Sequence, residues 1–146
     1  MSEKEPIAKA YIICPVRGAD KNYLLEDFVD YIESEGIKCH YPPRDMDQTL
    51  EGIDIVKGHL KAMLESDMVI VWWNESSYGS HVDLGMALMK AATGKPLLRL
   101  NEYECKKHSY GTVLKDIAIP AIINNEDDFL NALKAVAGGI AVAGAK

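Results

Sequence analysis

The chain has 146 residues, 48% of them hydrophobic and 26% charged, a balance typical of a folded globular domain and not of a disordered or fibrous chain. This length fits one well-buried core, so we expect residues 1–146 to form a single domain. The formal net charge of −6 argues against polymeric nucleic acid as a partner, because binding its phosphates needs a clustered basic face.

The first half of the chain alternates between strand and helix patterns. Residues 8–16 (AKAYIICPV) are a short apolar run typical of a strand buried on both faces. Apolar residues then recur at helical spacing over 22–35, and Gly36 is suited to end that helix. GIKCHY at 36–41 predicts a second strand, and residues 50–66 predict an amphipathic helix. The apolar stripe of that helix contains Ile53, Val56, Leu60, Met63 and Leu64.

The second half continues the alternation and holds the clearest strand signal. DMVIVWW at 67–73 is nearly all apolar, as a central parallel strand should be. A helix is predicted at 81–93 and a fourth strand, KPLLRL, at 95–100. Near the end, AIPAIIN at 118–124 predicts a fifth strand and residues 126–140 predict a last helix.

Strands that alternate with helices indicate parallel pairing through right-handed crossovers. We therefore expect an α/β fold, a flavodoxin-like three-layer sandwich with a five-stranded parallel sheet in the order 2-1-3-4-5. In that order ligands bind at the carboxyl ends of strands 1 and 3, which brings the loop CPVRGAD beside the loop NESSYGSHVD. The Ala/Gly-rich residues 137–146 have little to bury, and we expect them to fray.

Several common functional classes lack support in the sequence. No G-x-G-x-x-G follows the first strand, and TGKP lacks the rest of a phosphate loop. Cys39-His40 and CKKH at 105–108 could supply metal ligands, but no four-ligand spacing appears, so we expect no metal and no cofactor.

The cysteines and the apolar runs bear on where the protein resides. The three cysteines form no CxxC pair, which indicates a reducing compartment without disulfides. The start MSEKEPIAKA is too charged for a signal peptide, and the apolar runs are shorter than the roughly 20 residues of a membrane helix. We therefore expect a soluble, cytoplasmic protein without a membrane partner.

Asp83 has two interpretations. Ser80-His81-Val82-Asp83 fits the S-x-x-[DE] capping pattern, in which the hydroxyl and the carboxylate close the first turn of a helix. A carboxylate at a helix N-terminus is also kept ionised by the helix dipole, as a nucleophile must be. The residue types leave both interpretations open.

Arg17 is a candidate anion ligand at the predicted crevice. It follows a buried strand and precedes Gly18, and its planar guanidinium suits a phosphate or carboxylate. A surface ion pair with Asp20 or Glu26 is the alternative. The loop before the next helix adds hydroxyls and backbone N–H groups at Ser76, Ser77 and Gly79. Together these groups favour a small ligand that bears a phosphate.

Three aromatic residues and one histidine near the predicted crevice have ordinary structural explanations. Tyr11 lies within strand 1, where a core tyrosine is the usual explanation, and Trp72 and Trp73 are typical of core and pocket wall. His59 lies on the second long helix, where a polar surface or edge position is the ordinary expectation.

Three stretches in order, YIICPVRG, SDMVIVWW and SSYGSHVDLGMA, together resemble the nucleoside 2-deoxyribosyltransferase superfamily, including its branch of nucleoside 5'-monophosphate N-glycosidases. The match covers roughly residues 9–101. The resemblance implies a flavodoxin-like sandwich in which a carboxylate within G-x-x-x-E-L-G-x-A attacks the anomeric carbon of the sugar. The corresponding stretch here is residues 79–87, GSHVDLGMA.

The resemblance also implies roles for individual residues. Asp83 matches the nucleophile, although the family usually has Glu there, which is longer by one carbon–carbon bond of about 1.5 Å. Tyr11 matches the tyrosine that orients the nucleophile. His59 stands where the family commonly has an acidic residue that assists the leaving base, and a histidine can serve as that acid near neutral pH.

The remaining implied contacts concern the ligand. Arg17 and Ser77 match positions that contact the 5'-phosphate in the monophosphate-specific branch. The other substrate-binding candidates are Gly18, Gly79, Ser80 and Trp73.

We therefore expect an enzyme that cleaves or transfers the N-glycosidic bond of a (deoxy)nucleoside or nucleoside 5'-monophosphate through a glycosyl-enzyme intermediate. The resemblance also implies a homodimer or higher homo-oligomer. A catalytically inactive nucleotide-binding or interaction protein on the same fold is the alternative, because a fold supports many functions.

Overall fold

A computed structural model describes residues 5–16 and 22–144 of the chain. Its five strands form one parallel sheet in the order β2-β1-β3-β4-β5, which confirms the fold class and strand order expected from the sequence. The strands are β1 (Ala8–Ile13), β2 (Ile37–His40), β3 (Met68–Val71), β4 (Leu97–Arg99) and β5 (Ile119–Pro120).

Helices cover both faces of the sheet. They are α1 (Tyr23–Ser34), α2 (Pro42–Asp45), α3 (Gly52–Glu65), α4 (Tyr78–Ala92), α5 (Val113–Ile117) and α6 (Phe129–Gly144). Buried residues of α1 and α6 pack on one face, and buried residues of α3, α4 and α5 pack on the other. Within the described residues, no helix is long and apolar enough to cross a membrane.

Strand β1 lies near the centre of the sheet and contributes to both cores. Ala10 and Ile12 pack with the α1 and α6 side, whereas Tyr11 and Ile13 pack with the α3 and α4 side. Alternation of side chains along a strand explains this division. It directs the ring of Tyr11 toward α4, the helix that carries Asp83.

Helix α4 begins earlier than the sequence predicts. Its first residue is Tyr78 rather than residue 81, because Ser77 is the N-cap and its side-chain oxygen accepts a hydrogen bond from the backbone N–H of Ser80. Strand β5 is shorter than predicted and comprises two residues, one of which, Pro120, has no N–H to donate to a neighbouring strand.

The carboxyl-terminal helix differs from the expected frayed tail. Helix α6 continues through Gly138 to Gly144, and Val136 and Gly139 are buried. A Cβ at Gly139 would lie 3.3 Å from Leu98 Cδ1, so the missing side chain lets this helix approach β4 closely.

Helix α3 also departs from an ordinary amphipathic helix. Its apolar stripe is present, yet Met63 is the buried residue of the helix. The exposed members of the stripe are Ile53, Val56, Leu60 and Leu64. Apolar side chains therefore form a continuous exposed face on this helix.

Candidate active site

A cleft of about 460 Å³ opens at the carboxyl ends of β1 and β3, where parallel folds of this order bind ligands. Its polar lining residues include Gln48, His59, Ser76, Ser77 and Asp83. Its apolar lining residues include Val16, Ile55, Val56, Val82 and Met86. The cleft therefore combines an apolar wall with a few converging polar groups, as small-molecule sites commonly do.

Among the described residues that line this cleft, Asp83 supplies the carboxylate. It lies on α4 with 8% of its surface exposed, and its Oδ2 accepts a hydrogen bond of 3.0 Å from the hydroxyl of Tyr11. Tyr11 is completely buried in β1, so its ring position is fixed by the core. The bond occupies Oδ2 and orients the carboxylate, which leaves Oδ1 as the oxygen best placed to meet a ligand.

Burial dominates the electrostatics of the pair. It raises the pKa of Asp83 to about 6, while the hydrogen bond from Tyr11 acts in the opposite direction. Burial and the neighbouring Asp83 raise the pKa of Tyr11 far above its usual value. Tyr11 therefore remains a donor near neutral pH, and Asp83 is mostly ionised there in spite of its poorly solvated position.

The capping interpretation of Ser80 and Asp83 is wrong. Ser77 is the N-cap of α4, and the buried hydroxyl of Ser80 donates to Ser77 Oγ at 2.9 Å. Asp83 is the sixth residue of the helix and accepts from Tyr11. The effect of the helix dipole fades beyond the first turn, so burial governs the pKa of Asp83 and raises it.

The N-terminus of α4 forms the polar end of the cleft. Ser77 and Gly79 line the cleft together with Ser76, whereas Ser80 lies beneath Ser77 and supports its hydroxyl. Arg17 and Gly18, the two other candidates for an anion site, lie outside the described residues. Val16, which precedes them, lines the cleft.

His59 lines the same cleft as Asp83 and is therefore not an ordinary surface histidine. Its Nδ1 lies 3.3 Å from Nε2 of His40, and burial lowers its pKa. The part of the chain that the structure describes contains no group of three or more His, Cys, Asp or Glu side chains placed to hold a metal ion.

Trp73, which is expected from the sequence to contact a ligand, lies in the core and is not among the residues that line the cleft. It is 2% exposed, its indole N–H donates to Glu75 Oε2 at 2.8 Å, and its ring packs on His81 with 4.8 Å between centroids. Trp72 instead lines a neighbouring hollow of about 410 Å³ on the α1 side.

The sequence suggests His40 only as a possible metal ligand and does not place it beside His59. It ends β2, where a lone histidine carries no pattern of its own. The parallel register pairs His40 with Tyr11, and this register is the signal that places both side chains on the face covered by α3. Predicting the position of His40 would require knowing which residues of β1 and β2 lie opposite each other.

The fold is shared with a solved structure over most of the chain. The CMP N-glycosidase BcmB of Clostridium botulinum shares 22% sequence identity with a TM-score of 0.57, and the match covers 86% of this chain and 98% of that chain. No protein-family profile and no curated protein sequence matches the chain. At this identity the likeness shows a shared fold.

Substitution of Asp83 by Asn should stabilise the protein near neutral pH. The folded state holds the carboxyl proton more tightly than the unfolded state, so stability falls as the pH rises from about 4 to about 6. Each unit of pKa is worth about 1.4 kcal/mol, and we expect Asp83→Asn to gain about 1 to 3 kcal/mol at pH 7, measured by urea denaturation.

The gain should shrink toward pH 4, where the wild-type carboxyl is neutral as well. The exposed Asp30 of α1 provides the matched control, and Asp30→Asn should change the free energy of unfolding by less than about 0.5 kcal/mol. An Asp83→Asn protein that is no more stable than wild type at pH 7 would contradict the burial cost.

Proposed function

We propose that this chain is an enzyme that cleaves or transfers the N-glycosidic bond of a (deoxy)nucleoside or nucleoside 5'-monophosphate. The observation that carries the proposal is the carboxylate of Asp83, buried at a cleft and oriented by the Tyr11 hydroxyl. The resemblance of residues 9–101 to nucleoside 2-deoxyribosyltransferases supports it. The shared fold with a structure described as a CMP N-glycosidase agrees with it.

In the proposed reaction Asp83 Oδ1 attacks the anomeric carbon of the sugar as the bond from that carbon to the base nitrogen breaks. Protonated His59 gives its proton to the departing base. The result is a glycosyl ester on Asp83. Water, or a second base in a transferase, then attacks the same carbon and releases the carboxylate, and the proton of the attacking group passes to His59.

The proposed ligand carries a 5'-phosphate. Ser77 and the backbone N–H groups at the start of α4 offer donors at one end of the cleft. Arg17 and Gly18 complete this anion site in the proposal, as the family resemblance implies. The apolar wall formed by residues such as Val56 and Val82 suits the flat, weakly polar faces of a nucleobase.

Incubation with a panel of nucleosides and 5'-monophosphates should release free base, detected by chromatography. Release should be fastest from a 5'-monophosphate, and Asp83→Asn should lower it by at least about 10³-fold, since the nucleophile is lost. The rate should follow a bell-shaped pH profile, rising as Asp83 ionises and falling at higher pH as the proton needed on His59 is lost. Asp30→Asn should keep the wild-type rate.

Two results would redirect the proposal. If no member of the panel loses its base while calorimetry shows nucleotide binding, the protein is the non-catalytic nucleotide-binding alternative. If base release persists in Asp83→Asn, then Asp83 is not the nucleophile.

We further propose that the chain works as a homodimer through α3 and α4. The exposed stripe of α3 lies beside exposed apolar residues of α4, Tyr78, Val82 and Met89. Val56, Tyr78 and Val82 also line the cleft, so this apolar surface continues into the site. A second copy is the proposed occupant because symmetric dimers, which bury one patch against itself, are the commonest oligomers.

Light scattering after size-exclusion chromatography should give twice the chain mass of 16.1 kDa. Leu64→Lys, at a position 68% exposed on α3, should shift the protein to monomer, because a charge would be buried in the interface. Leu130→Lys, 60% exposed on α6 at the opposite face of the sheet, is the matched control and should remain dimeric. A monomeric wild type would overturn this proposal.

A further inference from the structure

Two histidine rings run from the cleft toward a second hollow. His59 lines the cleft beside Asp83, and His40 lines a hollow of about 340 Å³. Nε2 of His40 lies 3.3 Å from Nδ1 of His59, so one ring donates a hydrogen bond to the other. With Nδ1 engaged in this way, His59 offers Nε2 to a ligand.

Tyr11 holds the two rings in place. Its ring centroid lies 5.0 Å from that of His40 and 6.0 Å from that of His59. His40 is also fixed by its position in β2, directly opposite Tyr11 in the parallel register. The same buried tyrosine therefore positions the carboxylate on one side and the histidine pair on the other.

We propose that His40 is a positioning residue that acts through His59, and that the two rings share one proton whose movement along their hydrogen bond switches His59 between acid and base. The proposal rests on the proposed function, since it explains how one side chain serves both steps of that reaction. In the pair the charge lies on His40, and transfer of the shared proton to Nδ1 keeps His59 neutral when it gives up its Nε2 proton.

The protons balance through the cycle. In the charged pair, His40 carries protons on both nitrogens and donates from Nε2 to Nδ1 of His59, whose Nε2 proton meets the ligand. As the base departs with the Nε2 proton of His59, the shared proton moves from His40 Nε2 to His59 Nδ1, and both rings become neutral.

The second step reverses these movements. His59 now presents an unprotonated Nε2, which accepts the proton of the water that attacks the glycosyl ester. The shared proton returns from His59 Nδ1 to His40 Nε2 as the carboxylate of Asp83 is released. The charged pair is thereby restored without any other proton donor.

The surroundings favour a pair that carries one positive charge over a pair in which both histidines are charged. Burial lowers the pKa of each ring, and a charge on His40 lowers the pKa of His59 further. Asp45 of α2 acts in the opposite direction on His40, and Arg44 adds to the lowering. Tyr11 packs against both rings, and the charged groups that line the cleft or the hollow beside the pair are Lys9, Glu33, Lys38, Arg44, Asp45, Lys61, Glu65 and Asp83.

Nuclear magnetic resonance of the full chain labelled with ¹⁵N-histidine tests the sharing without any substrate. We expect the ring nitrogens of His40 and His59 to shift together in one transition as the pair takes up one proton, below the usual histidine pKa near 6.5. In His40→Gln the ring of His59 should titrate alone at a different pH. Two independent transitions in the wild type would overturn the proposal.

Kinetics distinguish a relay from a static hydrogen bond. The amide N–H of Gln in His40→Gln can donate to His59 but cannot carry a proton through, so kcat should fall about 10- to 100-fold with KM unchanged. His40→Asn is a second variant of the same kind, and His108→Gln, at an exposed position, should keep the wild-type kcat.

The two experiments separate failure of the proton relay from failure of the proposed function. A wild-type kcat in His40→Gln would overturn the relay. If no nucleotide loses its base, the proposed function fails, and the titration of the two rings in the free protein alone decides whether they share a proton.

Discussion

The hydrogen bond from the Tyr11 hydroxyl to Asp83 joins the centre of the sheet to the helix that covers it. A carboxylate that is 8% exposed is costly for the folded protein, because burial removes it from water and raises its pKa to about 6. The bond recovers part of this cost and fixes the carboxylate orientation. Tyr11 also contacts the rings of His40 and His59, so the candidate nucleophile and the candidate acid depend on one buried side chain.

The loop between β3 and α4 must be equally well fixed, because it sets where α4 begins. Asn101 accepts from the backbone N–H of Trp73 and donates to its carbonyl, at 2.8 and 2.9 Å. The indole N–H of Trp73 donates to Glu75, which also accepts from the Ser109 hydroxyl. Ser77 then caps the helix. Trp73 thus supports this loop from the core.

The sequence was sufficient to predict the layers and the strand order, because each central strand is a continuous apolar run and each long helix has its own apolar period. It also brought Tyr11 and Asp83 together, through the family resemblance. It could not predict the N-cap of α4, since Ser76, Ser77 and Ser80 are chemically alike and the choice depends on the turn after Asn74. The pairing of His40 with His59 depends on the register between segments that are distant in the sequence. The short helices α2 and α5 bury only one residue each, which is too few to produce a helical repeat of apolar residues.

In the proposed reaction the carboxylate of Asp83 forms a covalent ester with the sugar. Acid quenching during turnover of a nucleotide that loses its base, followed by peptide mass spectrometry, tests this most directly. We expect a sugar or sugar phosphate attached to the peptide that contains Asp83, and no such adduct in Asp83→Asn. An adduct on a different residue, or a first-formed sugar product with inverted anomeric configuration, would contradict it.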